Sequence, residues 1–336
     1  MSSRIEDHDG ATRLPERFSP RARAPVRRGV ELAAALLSGT LPGGEADAES
    51  APSDRGTKGL RAEVLSTTPR SIVLRLFTTV PQGAESPSSS VISSVKGRSS
   101  VVVKHFRRRD GASNSGGFGY LRARWGAEVL PGAARVLAAD DEHRLIISED
   151  LSDLPILDEV TAQRSELVVQ WIRSWPELTL AAGSTGFEKF CTALVSADAV
   201  AAKRGDGGVM ASRALLKHEL SSAEMQTLTR REGALLWWGD PSPRNIRCDS
   251  GAAEAKRRFR QVDVEGAGWC DPALLVAEVR LGLPQALPVR SHHGLPEVQR
   301  RELAQELAEH WSVPESRIIM AERGIRGILG ELRGGP

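Results

Sequence analysis

Apolar and polar positions follow two different periods along this chain. Between residues 58 and 150 the apolar residues come in short β-rich runs. Leu60 to Leu65 and Ile72 to Thr78 (IVLRLFT) flank the turn cluster STTPRS, which predicts a hairpin. A third run, Val101 to Phe106 (VVVKHF), follows a Ser-, Gly- and Pro-rich stretch from Pro81 to Ser100 that reads as an insertion between neighbouring strands. After the loop-like GASNSGG, the spacing of Phe118 to Leu130 permits a helix. The runs Ala134 to Ala138 and Leu145 to Ser148 then complete a mainly antiparallel sheet of about five strands.

Beyond Asp150 the period changes to that of a helix. Ile156, Val160, Leu167, Trp171 and Trp175 recur at multiples of three to four, and similar patterns cover Phe187 to Ala202 and Val298 to Trp311. Among them lies a β-like island made of LLWWGD, NIRCD and RFRQVDVE. Upstream, residues 1–57 mix Pro, Gly, Ser and Arg, broken by the apolar stretch Val30 to Leu37. This predicts a frayed arm carrying one short docking helix. The expected class is α+β, with an arm over 1–57, a small sheet-rich lobe over 58–150 and a larger helical lobe over 151–336.

Composition narrows the class of function. With 336 residues, 40% hydrophobic and 26% charged, the chain has enough material for a substantial core, which excludes wholesale disorder. The net charge is only +2, although just seven of the 45 basic side chains are Lys, so no overall electrostatic footprint for nucleic acid is present. Six Arg and one Glu between Arg13 and Arg28 make the arm locally basic, as expected of a solvated segment. Cys191, Cys248 and Cys270 are too few and too scattered for a disulfide framework, and read as reduced thiols in a cytoplasmic protein. No apolar run approaches the roughly 18 residues of a membrane span, so no membrane partner is expected.

The island holds the candidate chemistry. Asp240 ends one strand, Asn245 sits in the following loop, and Asp263 lies on the far strand of a hairpin that folds it back beside that loop. Mg-dependent phosphoryl transfer uses such a set: a carboxylate beside the attacking hydroxyl, with an amide oxygen and a second carboxylate to hold Mg²⁺ against the phosphates. Hard oxygen donors suit Mg²⁺, and the lack of nearby His/Cys pairs argues against zinc.

LLWWGDPSPRNIRCD followed by QVDVEGAGWCDPALLVAEV resembles the catalytic and metal-binding segments of the aminoglycoside phosphotransferase and choline kinase family, relatives of protein kinases. That family shows His-Gly-Asp, five residues to Asn, then Ile-Asp-Trp-Glu and a later Gly-Asp-Pro. Here Asp240 and Asn245 keep the five-residue step, Asp263 and Glu265 match the second motif, and Asp271-Pro272 fall in register. The resemblance, spanning roughly residues 60 to 284, implies a two-lobe protein kinase-like fold with ATP and Mg²⁺ as cofactors and a small-molecule hydroxyl as acceptor. It further implies that Asp240 is catalytic and that Asn245 and Asp263 bind the metal. Lys104, oriented by Glu128, would hold the α- and β-phosphates. Backbone groups of Ser148, Glu149, Asp150 and Leu151 would meet adenine, and Ser242 and Arg244 would touch phosphate.

Three positions depart from the family pattern. Trp238 replaces the usual His, Leu275 replaces an Asp, and STTPRS has no glycine, so Ser66, Thr67, Thr68 and Ser71 are expected to offer hydroxyl donors to phosphate instead. These departures favour one rival, a catalytically impaired nucleotide-binding or scaffold protein. The Arg-rich segments favour another, an anion or nucleic-acid binder.

Overall fold

The structure, a computed structural model, describes residues 5–6, 14, 18–38, 60–78, 100–107, 115–157, 164–197, 220–239, 242–248, 259–282 and 295–334. The sequence divides into two compact units. One comprises residues 1–120 and 135–150, the other 121–134 and 151–336.

Among the described residues the first unit is a six-stranded antiparallel sheet with a helix across one face. Its strands are β1 (Ile5–Glu6), β2 (Leu60–Thr67), β3 (Ser71–Thr78), β4 (Ser100–Phe106), β5 (Val136–Asp140) and β6 (Leu145–Glu149), in the order β1-β2-β3-β4-β6-β5. Side chains alternate between the two faces. Ile72, Leu74 and Leu76 of β3, Val101 and Val103 of β4, and Leu145 and Ile147 of β6 fall on one buried face. That face is covered by α1 (Pro20–Ser38), whose Ala22, Val26, Val30, Ala33 and Ala34 recur at helical spacing.

Helix α1 is longer than the two turns expected over Val30 to Leu37. Its first half is rich in Arg and Ala, good helix formers, while its buried positions are small residues that carry little hydropathy signal. Gly29 shows how closely it approaches the sheet, since a Cβ there would come within 2.8 Å of Val103. Arg28 adds an ion pair to Asp140 at 3.1 Å. Residues 20–38 therefore belong to the sheet unit rather than to a frayed arm.

Helix α2 (Ser115–Val129) begins inside the stretch expected as loop, and the two units divide within it. Tyr120 belongs to the first unit, edge-on to Phe106 with its hydroxyl donating to Asp141 at 2.5 Å. Leu121, Trp125, Ala127 and Val129 pack into the core of the second. Residues 121–134 thus sit with the helical unit, although the sequence pattern grouped them with the strands.

The second unit is built around α7 (Pro272–Leu281), apolar over most of its surface and packed by α8 (Glu297–His310) and α9 (Glu315–Gly334). Asp271 caps α7 by accepting from the Ala273 N–H at 2.8 Å and pairs with Arg317 of α9 at 2.6 Å. Among the described residues four further helices lie upstream: α3 (Arg164–Arg173), α4 (Trp175–Leu178), α5 (Thr185–Ala197) and α6 (Ser222–Thr229). The island forms two small sheets, β7 (Leu180–Ala181) with β8 (Leu235–Trp237) and β11 (Gly268–Cys270), and the hairpin β9 (Ile246–Cys248) with β10 (Phe259–Gln261). Beneath it Trp171, Trp175, Trp237 and Trp238 meet ring to ring at centroid distances of 5.4 to 6.2 Å.

Candidate active site

The hairpin register brings Asn245 and Asp263 together in the second unit. Ile246 pairs with Gln261, and one step further the Val262 N–H donates to the Asn245 carbonyl at 3.0 Å. Asp263 is the residue that follows Val262. Asn245 ends a short 3₁₀ turn (Pro243–Asn245), closed by its N–H on the carbonyl of buried Ser242 at 2.9 Å. The Asp263 Oδ1 accepts from the Glu265 N–H at 3.2 Å, which turns its carboxylate back along its own loop. Segment 155–157 adds a third edge, with Leu157 N–H donating to Ile246 and Cys248 N–H to Pro155, both at 3.0 Å.

Two glycines set how the loops meet. Gly239 has φ +90°, a left-handed conformation that favours glycine, and a Cβ on it would run into the carbonyl group of Gly266. A Cβ on Gly266 would in turn lie 3.3 Å from the Gly239 Cα. The chain leading to residue 240 is therefore held against the loop after Asp263. Asp240 itself, the expected catalytic carboxylate, lies outside the described residues.

Trp238 is 2% exposed, and its indole N–H has no hydrogen-bond partner, so it serves as packing under the loop. Leu275 is fully buried on α7. Burial, the largest influence, pushes the Asp271 carboxyl up from its ordinary value, against the opposing pull of Ala273 and Arg317. Both Asp271 partners are internal to the fold, which makes it a brace between α7 and α9. Cys191, Cys248 and Cys270 form no disulfide and are buried. Burial lifts the Cys191 thiol to about 11 and Cys270 well above its ordinary value, so neither supplies a thiolate at neutral pH.

The strand pattern left two supporting residues unread. Gln261 is 5% exposed, and its Nε2 donates to the Asp263 carbonyl at 2.9 Å, which fixes the backbone on which the carboxylate stands. A Gln at an inward position of RFRQVDVE was the available signal. Arg260 donates to the carbonyls of Gly132 and Ala133, both at 3.2 Å, and so ties residues 132–133 to β10. Glu128, on α2, forms its ion pair with Lys189 of α5 at 3.1 Å.

The nucleotide-contact residues expected in the first unit take these positions. Lys104 pairs in register with Val73 and Ile146, on the sheet face opposite α1, and its ammonium stands 5.0 Å from the Phe106 ring centroid. Ser148 is paired on both sides, by Val102 and Val136, and Glu149 clasps Arg135 through two bonds, its N–H donating to the Arg135 carbonyl at 3.0 Å and its carboxylate accepting from the Arg135 N–H at 2.7 Å. Asp150 binds Arg75 at 2.6 Å. Leu151, which opens the larger segment of the second unit, accepts at its carbonyl from the Leu154 N–H at 3.1 Å.

The STTPRS turn differs from expectation. Thr68 N–H donates to the Ser71 carbonyl at 2.9 Å, and Thr68 Oγ1 accepts from the N–H groups of Arg70 and Ser71 at 3.2 and 3.0 Å. The Thr68 hydroxyl, expected to face phosphate, closes its own turn, because a Thr with no glycine nearby satisfies the local backbone donors first.

Asn245 and Asp263 offer one amide oxygen and one carboxylate, a donor set that fits Mg²⁺, which takes one or two carboxylates from protein and completes its shell with phosphate and water. Among the described residues no group of three His, Cys, Asp or Glu side chains is placed to hold a metal ion.

No protein-family model and no curated protein matches the chain. Solved structures do. The GDP complex of wild-type aminoglycoside 2'-phosphotransferase-IIIa is similar over 80% of this chain and 91% of that one, at 11% identity and a TM-score of 0.36. Choline kinase from Cryptosporidium parvum Iowa II is similar over 81% and 80%, at 10% identity and the same TM-score. These likenesses are to the groups that the motif residues resemble. No helix among the described residues is long and apolar enough to cross a membrane.

Proposed function

We propose that the protein is an ATP-dependent phosphotransferase acting on a hydroxyl of a small molecule. The observation that supports this reading is the β9–β10 register, which sets Asn245 beside the strand leading to Asp263 in the order and spacing that phosphoryl transfer uses. Asn245 and Asp263 would hold Mg²⁺, which when bound neutralises charge on the phosphates. Asp240 orients the acceptor hydroxyl and takes its proton. The acceptor oxygen forms a bond to the γ-phosphorus while the bond from that phosphorus to the β–γ bridging oxygen breaks, and ADP leaves. Lys104 holds the α- and β-phosphates, Ser242 and Arg244 contact phosphate from the catalytic loop, and the segment Ser148 to Leu151 receives adenine. Catalysis comes from positioning and charge neutralisation.

A second reading, a nucleotide-binding or scaffold protein without turnover, is favoured by the self-closed Thr68 turn. One experiment separates the two. Melting with saturating Mg-ATP or Mg-GTP reports binding, and a hundredfold excess over Kd adds about 2.7 kcal/mol of stability. A screen of hydroxyl acceptors, read as acceptor-dependent ADP release, reports turnover. Binding without release under any acceptor supports the scaffold, and no shift in melting removes both readings.

A further inference from the structure

The first unit contains a cavity that the phosphotransferase reading does not use. It lies between the start of α1, the end of β4 and the turn joining β5 to β6, and has a volume of about 510 Å³. Arg21, His105, Arg107, Glu142, His143 and Arg144 supply its ionisable lining. Three guanidinium groups against one carboxylate make that lining cationic. Helix α1 starts beside it with no acidic residue in its first turn, so the positive end of the helix dipole adds to the same field.

Two groups in this lining lack a counterpart. His105 is 7% exposed, and its Nδ1 is buried with no hydrogen-bond partner. The Nε of Arg107 is buried and unpartnered as well. A buried polar atom left without a hydrogen bond is costly, more so on a charged group, so both groups gain from a ligand that completes their hydrogen bonds. Burial first, then Arg107, His143 and Arg144, lower the His105 imidazole to about 4, so it is neutral at pH 7 and can donate through whichever ring nitrogen carries the proton. The site is separate from Lys104. Successive residues of a strand face opposite sides, and His105 lies on the side that α1 covers.

We propose that this cavity is a binding site for an oxyanion, the phosphate group of a phosphorylated small molecule, held directly by Arg107 and His105 and drawn in by Arg21 and Arg144. Guanidinium forks match the geometry of phosphate oxygens, and the volume accommodates a small phosphate ester. The site stands independently of the phosphotransferase reading.

The test is histidine-ring NMR on the full chain, titrating inorganic phosphate and then glycerol phosphate into chloride buffer at constant ionic strength. The His105 signal is identified by its loss in His105→Gln, or by through-bond assignment if that variant does not fold. It is expected to shift saturably with phosphate, and its titration midpoint to rise by about one pH unit or more, because a neighbouring anion favours imidazolium. Arg107→Gln should weaken the effect at least tenfold, whereas Lys104→Met, on the opposite face of the sheet, should leave it intact. Tighter binding of glycerol phosphate than of inorganic phosphate supports an ester as ligand, and equal binding supports the free ion. No saturable shift, a shift that survives in Arg107→Gln, or one that disappears in Lys104→Met overturns the proposal.

Discussion

Gly239 and Gly266 meet backbone to backbone, with no room for a side chain on Gly239 and a left-handed φ of +90° that only glycine adopts at little cost. This contact holds the chain entering residue 240 against the loop after Asp263. Gly239→Ala should therefore lose about 1–3 kcal/mol of stability from the strained conformation alone and more from the clash, with turnover falling further than stability predicts. Chemical denaturation and acceptor-dependent ADP release, measured on the same preparation, check this. An Ala variant with unchanged stability and turnover contradicts the contact.

The two carboxylates should separate by role. Asp263→Ala removes a hard oxygen ligand and should weaken metal-dependent nucleotide binding. Asp240→Asn should leave that binding close to wild type while lowering kcat by about 10²-fold or more, since its work is at the acceptor hydroxyl. Calorimetry with Mg-ATP, with and without chelator, measures the first effect, and steady-state kinetics the second. Equal losses of nucleotide affinity in both variants would contradict the assignment.

Trp238 is buried against Trp175 and Trp237, with centroids at 6.2 and 5.6 Å. Trp238→Ala should cost about 3–5 kcal/mol through the cavity it leaves. Trp238→His should also destabilise, since an imidazole is smaller and more costly to bury. A denaturation midpoint unmoved in Trp238→Ala would mean that the loop is not packed on this ring.

Lys189→Met should change stability by about 1 kcal/mol or less, because its pair with Glu128 is half exposed. Glu128→Gln tests more. Orienting Lys104 requires the Glu128 carboxylate to serve a second cation, so on the proposed function Glu128→Gln weakens Mg-ATP binding while Lys189→Met does not. Identical nucleotide titrations for both variants would confine Glu128 to its pair with Lys189.

His105 gives a pH dependence with a fixed sign. Its folded value of about 4 lies below the ordinary 6.5, so folding favours the neutral ring. The contribution, on the order of 3 kcal/mol, is fully present above pH 6.5 and is lost as pH falls from 6.5 towards 4. Urea denaturation in phosphate-free buffer should show stability falling through that window, and His105→Gln should flatten that part of the curve. A wild-type profile flat between pH 6.5 and 4 contradicts it.

Local patterns determined much of this protein. The strands around Leu74, Val103 and Ile147 announce themselves by alternation, because a sheet buried on one face must place every second side chain inward. Trp171 and Trp175 repeat at helical spacing for the equivalent reason. The step from Asn245 to Asp263 was legible as a hairpin, because a strand pair joined by a polar turn returns the chain beside itself. Other features were decided by contacts between distant residues, which leave no period in the chain. The first half of α1 is recognisable only against the sheet it covers. Glu128 meets Lys189 because two helices pack. The Thr68 hydroxyl turns inward because nearby backbone donors outcompete any external partner. The cavity at His105 exists only where a helix start, a strand end and a turn bring Arg21, Arg107 and Arg144 to one lining from three separate segments of the sequence.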